Sequence, residues 1–74
     1  MEENFEIAQS LFQQKKYQEA EISCRKSIEL NPNLFDSHFL LAFILIGQQK
    51  LQEAEFSLRK TIQLKPDFFQ AHLN

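Results

Sequence analysis

The sequence predicts an all-α fold of two antiparallel helical hairpins followed by a short C-terminal helical turn, and three observations predict it. The chain resembles itself at a displacement of 34 residues, with 17 of the 40 overlapping positions identical where composition alone supplies on the order of three. Within each unit, apolar residues recur at helical rather than strand spacing. Proline stands where the units close, at Asn31-Pro32 and Lys65-Pro66, and nowhere before those points.

The units run 1–34 and 35–68, with 69–74 opening a third. Asn4, Ile7, Ala8 and Leu11 form an i, i+3, i+4, i+7 stripe, which predicts a helix over 3–14. Ala20, Cys24, Ser27 and Ile28 give the same signal for a second helix over 18–30. Between them Gln14-Lys15-Lys16 is polar and too short for anything but an antiparallel return. Pro32 stops the second helix, since the residue before a proline is steered out of the α region. Asn33 with Asp36 has capping-box spacing for the next helix, expected over 35–48, and Asp67 with Gln70 repeats it. Phe39 to Ile46 is apolar around the whole helix circumference, as suits a middle helix with neighbours on several sides. After Gln48-Gln49-Lys50 the fourth helix is expected over 52–64. Glu21 with Arg25, and Glu55 with Arg59, sit at i, i+4 in the favourable order and mark an exposed outer face. Phe69-x-x-His72 repeats Phe35-x-x-His38 and predicts the final turn, leaning through Phe68 and Phe69 on the second unit.

Composition narrows the function classes. At 74 residues, 43% of them apolar and 24% charged, the chain has room for one small domain held by packing. Cys24 is its lone cysteine, so neither an intrachain disulfide nor a cysteine-based zinc site is available. A net charge of −2, with Lys and Arg matched locally by Glu, argues against a nucleic-acid partner. Met1-Glu2-Glu3-Asn4 is acidic and unlike a secretory leader. The longest apolar run spans about 12 Å as a helix against the roughly 30 Å of a bilayer core, so no membrane insertion is expected. A cytoplasmic protein without cofactors is the reading that remains. Little suggests an enzyme: Gly47 is the lone glycine, no serine has a nucleophile-elbow context, and Cys24 lies on a core stripe. His38 and His72 occupy equivalent positions, which accounts for them by repetition rather than by metal binding.

A 34-residue helix–turn–helix unit with a small eighth residue, alanine at the twentieth and proline at the thirty-second resembles the tetratricopeptide repeat. The matching residues are Ala8, Leu11, Tyr17, Ala20 and Pro32, then Leu41, Ala42, Leu45, Ala54 and Pro66. Departures are Asn4 and His38 at the family's Trp-like position, Ser27 and Thr61 at its small position near the end of the second helix, and Lys15-Lys16 and Gln49-Lys50 in place of Gly-Asp. The resemblance implies a helical solenoid whose first helices line a concave peptide-binding groove. It carries that groove onto Glu2, Phe5, Glu6, Gln9, Phe12 and Gln13, and onto Asp36, Phe39, Leu40, Phe43, Ile46 and Gly47. Helical geometry agrees for two of them: Phe5 and Phe12 lie about a quarter turn or more off the Ile7–Leu11 stripe, so the hairpin core does not automatically bury them.

The family's cationic clamp for C-terminal carboxylates is not expected here, because Phe5, Gln9, Leu40, Gln70 and Asn74 fill its positions. The expected groove is apolar and aromatic with acidic edges, fit for an amphipathic or apolar segment with basic residues. Its candidate residues are Phe5, Gln9, Phe12, Asp36, Phe39, Leu40, Phe43 and Ile46. Packing between adjacent first helices stands as the alternative role for the phenylalanines. The expected function is a protein-interaction module, the alternative an N-terminal repeat leader of a larger enzyme such as a transferase. Because stacked repeats bury one another's faces, the far side of the second unit, with Phe56, Ile62 and Leu64, also points to self-association as an oligomer, expected as a symmetric pair, or to the front piece of a longer array.

Overall fold

The computed structural model describes residues 3–67. They form helices α1 (Glu3–Gln13), α2 (Tyr17–Leu30), α3 (Phe35–Gly47) and α4 (Leu51–Leu64), each within one residue of its expected bounds. The turn expected from residue 69, its residues Phe68, Phe69, Gln70, His72 and Asn74, and Glu2 lie outside the described residues. Helix α1 packs on α2 and α3 on α4, while α2 also packs on α3 and joins the hairpins; α1 and α3 meet along a narrow edge. Consecutive helices thus stack in chain order, with α1 and α3 side by side on one surface.

Small residues set the hairpin spacing. Ala8 and Ala20 are buried in the first hairpin, Ala42 and Ala54 in the second, and their size lets the paired helices approach closely. Cys24, Leu41, Ile44 and Leu45 fill the space between the hairpins, with Leu11, Phe12, Tyr17, Ile28 and Leu40 packed around them. Several polar groups in this core are paired. Ser27 and Ser37 share a hydroxyl–hydroxyl bond of 2.7 Å, Cys24 Sγ donates to the Ser37 carbonyl at 3.1 Å, and Thr61 Oγ1 donates to the Ser57 carbonyl at 2.8 Å. His38 is buried with Nε2 2.8 Å from the Pro32 carbonyl. A carbonyl only accepts, so that nitrogen carries the proton and the ring ties α3 to the turn before it.

Both hairpin turns adopt a left-handed residue without glycine. Lys15 has φ 64° and Gln49 φ 62°. Around them Lys16 N donates to the Leu11 carbonyl, and Lys50 N to the Leu45 carbonyl, each at 2.9 Å. That is the six-to-one bond of a Schellman end, so the turns keep the geometry in which the family places glycine and bear the left-handed strain on lysine and glutamine.

Three expectations need correction. The α1 core face is centred on Phe5 and Ala8 rather than on Ile7: Phe5 is 6% exposed and Ile7 42%. Leu41, the equivalent of Ile7, is 4% exposed on α3, a helix that packs against both α2 and α4. Among the described helices, α1 packs on α2 alone apart from its narrow edge with α3. The capping box is absent as well. Helix α3 starts at Phe35 with Leu34 as its extended N-cap and no side-chain cap, which leaves Asn33 one residue too early. Finally, Glu21 is no outer-face residue. It accepts from Gln48 Nε2 at 2.8 Å and lies 3.4 Å from Lys50 Nζ, across the junction of the hairpins.

Candidate peptide-binding groove

Residues five, nine, twelve and thirteen recur down one face of α1, and residues 36, 39, 40 and 43 down one face of α3. Because α1 and α3 lie side by side, these faces form the two walls of an open groove of about 320 Å³. Phe5, Phe12, Phe39, Leu40 and Phe43 supply its apolar surface; Gln9, Gln13 and Asp36 supply polar positions. Phe39 and Phe43, one helical turn apart, meet edge to face at 80° with ring centroids 4.9 Å apart. Phe12 leans on Tyr17 at 5.9 Å, which fixes it from behind. Phe43 is exposed, Phe12, Phe39 and Leu40 are half-buried, and Phe5 forms the buried floor.

The groove therefore brings together seven of the eight residues that the sequence singles out. Ile46 is exposed on α3 but does not line it. Asp36, in the first turn of α3, is the single charge among the lining residues, and no lysine or arginine lines the groove. The cation pattern of a carboxylate clamp is thus missing from the described wall. Phe5 has too little free surface to be more than floor, so contact area falls to Phe12, Phe39, Leu40 and Phe43.

Behind the groove, Glu21 organises a polar junction that sequence reasoning missed. Arg25 Nε donates to Glu21 at 2.8 Å, and its Nη2 reaches Glu53 on α4 at 3.3 Å. Burial works to raise the Glu21 pKa, but the bonds from Gln48 and Arg25 and the charges of Arg25 and Lys50 outweigh it and hold it below the usual glutamate range. The i, i+4 pair was readable; its partners 27 to 29 residues away were not, apart from the hint that Gln48 and Lys50 repeat Gln14 and Lys16. A second missed feature is a close approach between hairpins. A Cβ on Gly47 would stand 2.7 Å from the Tyr17 ring, so any larger residue there must displace that ring.

Among the described residues no group of three or more His, Cys, Asp or Glu could hold a metal ion, and no helix is long and apolar enough to cross a membrane. Paired helices stacked through small residues, with first helices lining a groove, define a tetratricopeptide-type repeat, a class that generally mediates contacts between proteins. The model of the family described as anaphase-promoting complex, cyclosome, subunit 3 matches residues 2–61, and the chain belongs to that family. No curated protein and no solved structure gives a significant match.

Proposed function

We propose that this chain is a protein-interaction module whose α1–α3 groove receives an apolar or amphipathic segment of another protein. One observation carries the reading: Phe12, Phe39, Leu40 and Phe43 converge with free surface on one concavity whose sole lining charge is negative. Such a surface rewards an apolar side chain inserted among the rings, and it favours a cation over an anion at the Asp36 end. A family described as a subunit of a multiprotein complex makes a fellow subunit the natural source of that segment.

The test is fluorescence anisotropy with labelled amphipathic helical peptides that differ in apolar face and flanking charge. Peptides with an apolar face and basic flanks are expected to bind saturably. Phe39→Ala combined with Phe43→Ala should weaken that binding about tenfold or more, the scale of losing a buried aromatic anchor. Circular dichroism should show an unchanged helix content. Undiminished binding by the folded double variant would refute the groove as the site.

A further inference from the structure

We propose that the α1–α3 groove holds its ligand as an extended strand, with main chain against Gln9 and Gln13 and alternate side chains among the rings. The inference rests on the reading of the groove as a binding site. It narrows that reading to one conformation of one ligand class, an apolar segment with a basic end. It starts from a difference between the two walls. Phe5 and Phe39 are equivalent under the 34-residue displacement, but Gln9 stands where α3 has Phe43, and Gln13 where α3 has Gly47. The α1 wall therefore carries two exposed amides about one helical turn apart, facing the Phe39–Phe43 ring pair of α3. Gln14, outside the groove, is tied to Ser10 at 3.2 Å, whereas Gln9 and Gln13 line the opening.

Main-chain chemistry decides between strand and helix. Four residues of a helix rise about 6 Å, and two residues of an extended chain advance about 6.6 Å. Gln9 and Gln13 thus meet every second residue of a strand laid along α1, and Phe39 and Phe43 keep the same step on the other wall. A side-chain amide both donates and accepts, so each glutamine can pair with the free N–H or C=O of an extended backbone. A helix has those groups bonded internally, and its apolar face, turned into the groove, would leave both amides against hydrocarbon. From residue 5 to residue 13 the wall is about 12 Å long, the reach of about four extended residues. Asp36, the single lining charge, sets the basic residue of the ligand at its own end.

Fluorescence anisotropy on the full chain with two labelled nine-residue peptides tests this. The extended probe alternates leucine with serine between terminal arginines; the helical probe has the same residues reordered to helical spacing and is held by a staple. The extended probe should bind about tenfold more tightly or better. N-methylation of the leucine amides alone, or of the serine amides alone, separates the two edges of a strand. The set facing α1 should lose about tenfold and the other set less than about twofold. With Gln9→Leu and Gln13→Leu together the two methylated probes should bind alike, since the partner of the missing N–H is gone. Both positions are exposed, and circular dichroism checks the fold of the double variant. Asp36→Asn should weaken the extended probe about threefold, and an unchanged affinity overturns the basic end. A helical probe that binds equally well overturns the strand. The groove itself then stands if Phe39→Ala with Phe43→Ala weakens that binding, which tells the two failures apart. Equal losses from both methylated sets, or a difference that persists without the glutamines, overturn the proposal as well. Binding by neither probe overturns it together with the groove.

Discussion

Cys24 shows what one residue's surroundings do to its chemistry. Its thiol has no exposed surface and donates to the Ser37 carbonyl, and burial pushes its pKa from 9.0 up to about 12. The folded chain holds this proton more tightly than the unfolded chain does. The stabilisation is therefore complete below pH 9 and is lost as pH rises toward 12. Native protein should resist a thiol-labelling reagent at neutral pH and react fully in denaturant. Urea unfolding at rising alkaline pH should narrow the stability gap between the wild type and Cys24→Ala. At Gly47 sterics replace titration. Gly47→Ala should cost about 1–3 kcal/mol through overpacking against Tyr17. Adding Tyr17→Leu, the residue type of the equivalent position 51, should return much of that loss in a double-mutant cycle. Additive costs would show that the ring and the glycine do not constrain each other.

Helices and turns were readable to different depths. Helix positions followed from apolar spacing and from Pro32 and Pro66, because both act within a few residues of sequence. Helix rotation did not, as Phe5 and Ile7 show: their burial depends on which neighbour stacks on α1, and no local pattern encodes that. The capping reading failed by one residue because the extended Leu34 itself serves as N-cap. Lys15 and Gln49 hold left-handed φ values that glycine adopts without penalty. Lys15→Gly and Gln49→Gly should each therefore stabilise the fold by about 0.5–1 kcal/mol, net of glycine's greater unfolded-state entropy. Thermal unfolding should show a rise of several degrees for the pair. A fall would mean that the lysine and glutamine side chains contribute more to the turns than the strain removes.

Across the whole molecule, stability concentrates where one hairpin meets the next. Glu21 is 16% exposed at this junction, whereas its equivalent Glu55 is 67% exposed. Glu21→Gln should cost about 1 kcal/mol at neutral pH, through weaker bonds to Arg25 and Lys50. A glutamate whose pKa is lowered by folding stabilises above its unfolded value of 4.5 and loses that effect as pH falls through its folded one. The cost of Glu21→Gln should accordingly shrink in urea titrations as the pH is lowered below 4.5. Glu55→Gln, in a pair exposed on both sides, should change stability little at neutral pH. The groove residues were legible because the repeat's phase places Phe12, Phe39 and Phe43 on adjoining helix faces. The junction's full partner set was not, since it joins side chains far apart in sequence. That junction also bears on how such a chain lengthens. Each 34-residue stretch encodes both the plug and the socket of its own joint, so a tandem duplication of the coding segment delivers a working splice at once, with no new mutation needed to make the added piece fit.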